Sequence, residues 1–221
     1  MKNLVLSITL FSNLCFSQVI DYKGFMDFTY NNTSGKIFLK ISDLDTQFLY
    51  INSLSRGVGN NDLGLDRGQL GGSRVVYFTK KGDKILLIQP NLRYISNSSN
   101  NLENKAVEEA FARSVLFSFN IIEKSNNSYV VDLTPFIIND AHGVSQRLKN
   151  SNSGSYTLNK SMSAVELERT KAFPDNIEFD VILTFIGSPS GNLVSSVTPT
   201  PSNLTVNQHY SFVKLPDNNF N

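Results

Sequence analysis

The chain has 221 residues, carries 20 Lys and Arg against 19 Asp and Glu, and is 40% apolar. That length suffices for a sizeable core, while charge this close to balance offers no footprint for nucleic acid or an anionic membrane surface. The single cysteine, Cys15, lies in the first seventeen residues, so a chain processed beyond it holds no thiol for a disulfide, a nucleophile or a zinc ligand.

Residues 1–17 read as a secretory signal peptide. Lys2 supplies the positive start, a short apolar run reaches Leu14, and Ser17 is a small residue ahead of Gln18. The run is too short to span a bilayer comfortably, so removal is expected rather than anchoring, with export to the periplasm, cell surface or medium. Acylation of Cys15 is the alternative, but Asn13 and Leu14 fit the small-residue requirement of such a signal poorly. Residues 18–221 then form one β-rich domain with 19 basic and 19 acidic side chains. The sixteen Phe and eight Tyr of the whole chain favour strands.

In chain order, GFMDFTY (24–30) alternates, NNTSG turns, and KIFLKI (36–41) resumes, which predicts a hairpin. FLYI (48–51) is a further strand. RVVYFT (74–79) and KILLIQ (84–89) predict a second hairpin around residues 80–83. Residues 102–116 predict an amphipathic helix, because Ala106, Val107, Ala110, Phe111 and Val115 recur at three- and four-residue steps. Glu103 near its start and Arg113 near its end suit the helix dipole. Residues 117–123 and 129–133 predict a third hairpin. Residues 140–148 read as a short helix with Asp140 as N-cap. Short strands follow from Tyr156 onward, with IEFDVILTFI (177–186) the clearest, then 193–197 and 205–214; Pro199 and Pro201 mark a stiff connector. The predicted class is α+β: mainly antiparallel sheet, one amphipathic helix and one or two short ones.

Residues 53–72, SLSRGVGNNDLGLDRGQLGG, hold six of the thirteen glycines and predict an irregular path between strands. Arg56, Asp66 and Arg67 are its candidate domain-docking residues, since Arg forks suit partner carboxylates. Asn60–Asp66 has oxygen ligands but lacks the alternating register and closing Glu of a calcium loop, and reads as an ordinary turn. His142 and His209 have no helical-spacing partner for a zinc site and read as structural or incidental. No catalytic and no metal-binding residue is predicted in this chain.

Five stretches together carry a resemblance: LYINSLSRGVGNNDLGLDRGQLG (49–71), AVEEAFARSVLFSF (106–119), VDLTPFIINDAHGVSQRL (131–148), RTKAFPDNIEF (169–179) and SVTPTPSNLTVNQHYSFVKLPD (196–217). They resemble the region of unknown function that precedes the catalytic domain in a family of large secreted bacterial zinc-dependent metalloproteases. The resemblance covers residues 25–220 in family order. It implies a peptidase parent of which this chain is the non-catalytic N-terminal part, truncated before any catalytic domain and inactive alone. The family's HExxHxxGxxH motif lies downstream, so no catalytic or zinc-binding role carries over to any residue here. Zinc is expected only in that missing domain, which is also the expected partner. The alternatives are a stand-alone secreted binding module, or a latency prosegment covering the zinc sterically or with a carboxylate such as Asp62 or Asp66.

Overall fold

The computed structural model describes residues 19–217; the expected signal peptide lies outside them. Twelve strands run in chain order: β1 (Val19–Tyr22), β2 (Phe28–Asn31), β3 (Lys36–Ile41), β4 (Gln47–Arg56), β5 (Leu70–Lys81) and β6 (Lys84–Gln89), then β7 (Ser114–Ser125), β8 (Ser128–Asp132), β9 (Gly154–Val165), β10 (Lys171–Ala172), β11 (Asn176–Pro189) and β12 (Asn203–Lys214). Helix α1 (Asn101–Ala110) separates β6 from β7, while α2 (Thr134–Ile137) and α3 (Val144–Asn150) follow β8.

The strands form one antiparallel sheet in the order β1-β2-β3-β8-β7-β6-β5-β4-β12-β11-β10, with β9 also paired to β11. Its two ends curl together. Phe25 N–H donates to the Phe173 carbonyl at 2.7 Å, and Phe28 on β2 meets Phe179 on β11 with ring centroids 4.9 Å apart. One face therefore lines a common interior, and period-two alternation fills it. Phe48, Tyr50, Asn52 and Leu54 from β4 are buried alongside Leu204, Val206, Gln208, Tyr210 and Phe212 from β12. Pro135 lies in the first turn of α2, whose Phe136 enters the interior against Tyr50, Phe117, Tyr210 and Phe212 at centroid distances of 5.5–6.2 Å. Each ring buried in this way contributes about 1.5–3 kcal/mol.

The three predicted hairpins are present, and their turns show why. Asn31 Oδ1 accepts the Thr33 and Ser34 amides at 3.0 and 2.9 Å between β2 and β3. Asn126 and Asn127 take positive φ in the two-residue turn between β7 and β8.

Three expectations need correction. The molecule is predominantly β rather than α+β, its helices being few and short. The helix expected over 102–116 spans Asn101–Ala110, starting from Asn100, whose side chain accepts the Leu102 amide. It stops there because Val115 and Phe117 pair with Ile88 and Leu87 of β6; a waiting strand partner overrides helical periodicity. Its apolar side reaches no core, for α1 has no buried residue. Finally, 193–197 is not a strand. Both edges of β11 are already taken by β12 and β9, and the segment coils into turns, with the Ser196 amide donating to Asn192 and buried Val194 as its anchor.

The short helix expected over 140–148 is α3, Val144–Asn150. It begins at Val144, and Asp140 caps it from outside, accepting the Val144 and Ser145 amides at 2.7 and 2.9 Å.

Candidate functional site

The glycine segment is half regular. β4 continues through it to Arg56, and β5 begins at Leu70, with Ser53 opposite Leu70. The connection between them folds onto the domain. Leu63 and Leu65 are buried, Asn60 Nδ2 donates to the Leu193 carbonyl at 3.0 Å, and Arg147 of α3 donates to the Gly64 carbonyl at 3.2 Å. Gly57 lies so close to the returning chain that a Cβ there would stand 2.2 Å from the Leu65 carbonyl oxygen. This connection is thus fixed scaffolding with a few residues left outward.

Those outward residues include the three docking candidates. Arg56 and Arg67 are exposed and Asp66 is half-buried, and none of their side chains is hydrogen-bonded or ion-paired among the described residues. Arg67→Ala is therefore expected to shift the unfolding free energy of this chain by less than about 0.5 kcal/mol in a denaturant titration. A loss above about 1.5 kcal/mol would make Arg67 internal scaffolding and remove it as a docking residue.

Behind the segment lies a buried polar network. The β4–β5 pairing carries a bulge at which Asn52 faces both Gly71 and Gly72. Asn52 points inward and donates to the Ala141 carbonyl at 2.8 Å. The next residue, His142, donates its amide to Gln208 Oε1 at 2.8 Å, and Gln208 Nε2 donates to the Asn139 carbonyl at 2.9 Å. Tyr210 closes the set by donating to the Ile137 carbonyl at 2.8 Å. The loop 137–142 is thus fastened to the middle of β4 and β12 by side chains that satisfy otherwise buried backbone groups. His142 is itself only 5% exposed. Burial, reinforced by the Arg147 charge, holds its ring below the ordinary histidine pKa despite Asp140, so it sits there neutral.

A second network stands on the outer face of β11 and β12. Glu178 and Asp180, two residues apart on one strand, project to the same side, and the register sets Asp180 opposite His209. His209 Nδ1 lies 3.1 Å from Asp180 Oδ2 and Nε2 lies 2.7 Å from Glu178 Oε2. Ser211 donates to the same Glu178 oxygen, and Asn207 Nδ2 donates to Asp180 Oδ1 at 3.0 Å. Burial alone would push the imidazole down, but the bonds to Asp180 and Glu178 outweigh it and raise the pKa to about 9. Burial likewise pushes the two carboxyls up, and bonds with His209 and its neighbours pull both below their ordinary values. At neutral pH this is a cation between two anions.

Both ring nitrogens of His209 are committed to carboxylates, whereas both ring nitrogens of His142 are buried with no hydrogen-bond partner among the described residues. No cluster of three His, Cys, Asp or Glu among the described residues is arranged to hold a metal ion. The sequence reads both histidines as structural or incidental and shows nothing of the two carboxylates that His209 is bonded to. The signal for His209 was the Glu178–Asp180 spacing, but its meaning depends on a strand register formed across thirty residues.

A third feature is the arm between β6 and β7. Asn91 Nδ2 donates to the Ala112 carbonyl at 3.3 Å across its base, and Tyr94 stacks on Phe111 at 4.0 Å. Between α1 and the outer face of β4 and β5 runs a groove of about 880 Å³, lined by Gln47, Tyr77, Tyr94, Val107, Phe111 and Arg113 among others. No helix among the described residues is long and apolar enough to cross a membrane.

No curated protein and no solved structure matches the chain. A family model matches residues 68–221, from the end of the β4–β5 connection through β12. β4 precedes that match, yet it is hydrogen-bonded between β5 and β12, so the folded unit reaches back beyond the matched residues. The chain belongs to the family of the domain of unknown function DUF5117.

Proposed function

We propose that this chain is the non-catalytic N-terminal region of an exported zinc-dependent metallopeptidase, a rigid body on which the catalytic domain packs. One observation carries the reading. Three of the five stretches that resemble that family, 49–71, 131–148 and 196–217, meet in the single buried network of Asn52, Ala141, His142, Gln208 and Tyr210. Residues distant in sequence that depend on one another for buried hydrogen bonds are retained or lost as a set. Their joint presence supports the same architecture as in the resembling proteins, rather than an accidental match of short strings.

In this reading the chain supplies shape and attachment. The filled interior gives stiffness, the ionic cluster of His209 fastens β11 to β12, and the outward residues of the glycine segment and of the α1 arm are where a neighbour attaches. Zinc belongs to the catalytic part alone.

The test is the reading frame beyond Asn221 and the metal content of its product. A zinc-binding HExxH motif in frame is expected, with one zinc per full-length protein and none retained by residues 18–221 after dialysis. A frame that closes without such a motif would replace this reading with a stand-alone exported binding module. One equivalent of tightly held zinc on residues 18–221, lost in His142→Ala or His209→Ala, would overturn it outright.

A further inference from the structure

We infer that the groove between α1 and the outer face of β4 and β5 is the seat of the polypeptide that continues from β12, an assignment resting on the function proposed above. It names the α1 arm, rather than the glycine segment, as the principal docking surface for the catalytic part.

The first ground is that α1 is unpartnered. A ten-residue helix is marginal in water on its own and normally persists by burying an apolar face. α1 buries none of its residues. Val107 instead looks into the groove together with Tyr94 and Phe111.

The second ground is where the exposed apolar surface lies. Of the fourteen large hydrophobic residues exposed among the described residues, five lie on the arm: Leu92, Tyr94, Ile95, Leu102 and Phe111, of which Tyr94 and Phe111 line the groove. Scattered single residues of this kind need no explanation, but such a concentration on one arm suits an interaction surface. Lys105 pairs with Glu109 at 3.6 Å and Arg113 with Glu108 at 3.9 Å, so the helical wall is internally neutralised, while Asp45 and Lys81 line the opposite side. An amphipathic segment suits it.

The third ground identifies the occupant. β12 runs antiparallel to β4, and Lys214 pairs with Phe48. The end of β12 therefore lies beside Phe48, one residue from Gln47 and three from Asp45. Gln47 and Asp45 line the groove. Strand pairing stops after Lys214, ahead of Pro216, which lacks the amide that would extend it. With neighbouring strands about 5 Å apart, the exit lies within roughly two strand spacings of the groove. The segment that follows β12 is thus delivered beside an empty-handed helix, with no long linker required.

The experiment places the photo-crosslinking amino acid p-benzoylphenylalanine at Phe111, an aromatic replacement that preserves the stack on Tyr94. The protein is the whole product of the reading frame that contains this chain. Parallel variants carry the probe at Arg67 and at Ile186, which is exposed outside the groove. Mass spectrometry of the irradiated protein is expected to show position 111 joined to peptides beyond Asn221, and position 186 joined to none of them. Amide hydrogen exchange across α1 is expected to be at least tenfold slower in the whole product than in residues 18–221 alone.

Crosslinks to those downstream peptides from position 67 but not 111, with α1 exchanging equally fast in both proteins, would overturn the groove while leaving the docking function intact. Crosslinks from 111 to a second copy would overturn the occupant. A product without a peptidase region would overturn the proposed function and this inference with it. Absence of any crosslink together with unchanged exchange would overturn the inference.

Discussion

Gly71→Ala is expected to lower the unfolding free energy of this domain by about 2–4 kcal/mol, a cost of the size seen when overpacking and a lost buried hydrogen bond combine. A Cβ at position 71 would stand 1.7 Å from Asn52 Oδ1 and 3.0 Å from His142 Nδ1. Neither group has room to yield, because Asn52 is held by its bond to Ala141 and His142 is buried in the loop that Gln208 fastens through the His142 amide. Rotating Asn52 away would leave the Ala141 carbonyl buried without its donor. Gly72→Ala is the control. Its Cβ would meet only the Arg74 guanidinium, 3.2 Å away at the tip of a flexible side chain, and a change below about 0.5 kcal/mol is expected. Urea midpoints for the two variants and the parent decide the matter. Equal midpoints would mean that the network is looser than its distances indicate, and would withdraw the main support for the proposed architecture.

How much of this was legible in the sequence follows from the range of the forces involved. Hairpins were legible because alternation and turn chemistry are local: KIFLKI alternates cleanly, and Asn31 closes its own turn. Asp140 was legible as a cap for the same reason, although its helix starts four residues further on. The end of α1 was not legible, since Phe111 and Val115 satisfy helical spacing as well as strand propensity and only the presence of β6 decides between them. The strand expected at 193–197 failed likewise, through lack of a free edge. Glycines at 57 and 71 could be flagged as unusual, but what each one approaches, Leu65 in one case and Asn52 in the other, is a tertiary fact. The buried network joins positions up to 69 residues apart for Gln208 and Asn139, and 89 for Asn52 and Ala141. No local pattern encodes that.

The His209 cluster makes the stability of the domain depend on pH, and the sign follows from the direction of each shift. The imidazole is raised from 6.5 to about 9. Its contribution is therefore complete below about pH 6.5, where the ring is protonated in both folded and unfolded chains, and is lost as pH rises through 9. Glu178 and Asp180 are shifted downward, so their contribution is complete above the ordinary carboxylate range and is lost as pH falls through their depressed values. Together they place the stability maximum of this cluster at roughly pH 5–6.5, with a decline of up to about 3 kcal/mol between pH 6.5 and 9.5. His209→Gln removes the cation and leaves two carboxylates facing one another on the outer side of β11, one of them fully buried. At pH 6 that variant should be less stable by ~3 kcal/mol, the cost of breaking a buried ion pair from one side. Its stability should also be flat from pH 6.5 to 9, where the parent's falls. Replacing Asp180 with Asn as well should return part of the loss, because the buried charge left unpaired is then gone. Urea titrations of the three proteins across that pH range measure all of this. A parent profile flat through pH 9 would show that His209 is neutral in the folded chain, and that Asp180 is held by Asn207, and Glu178 by Ser211 and by Asn176, whose Nδ2 donates to Glu178 Oε1, without it.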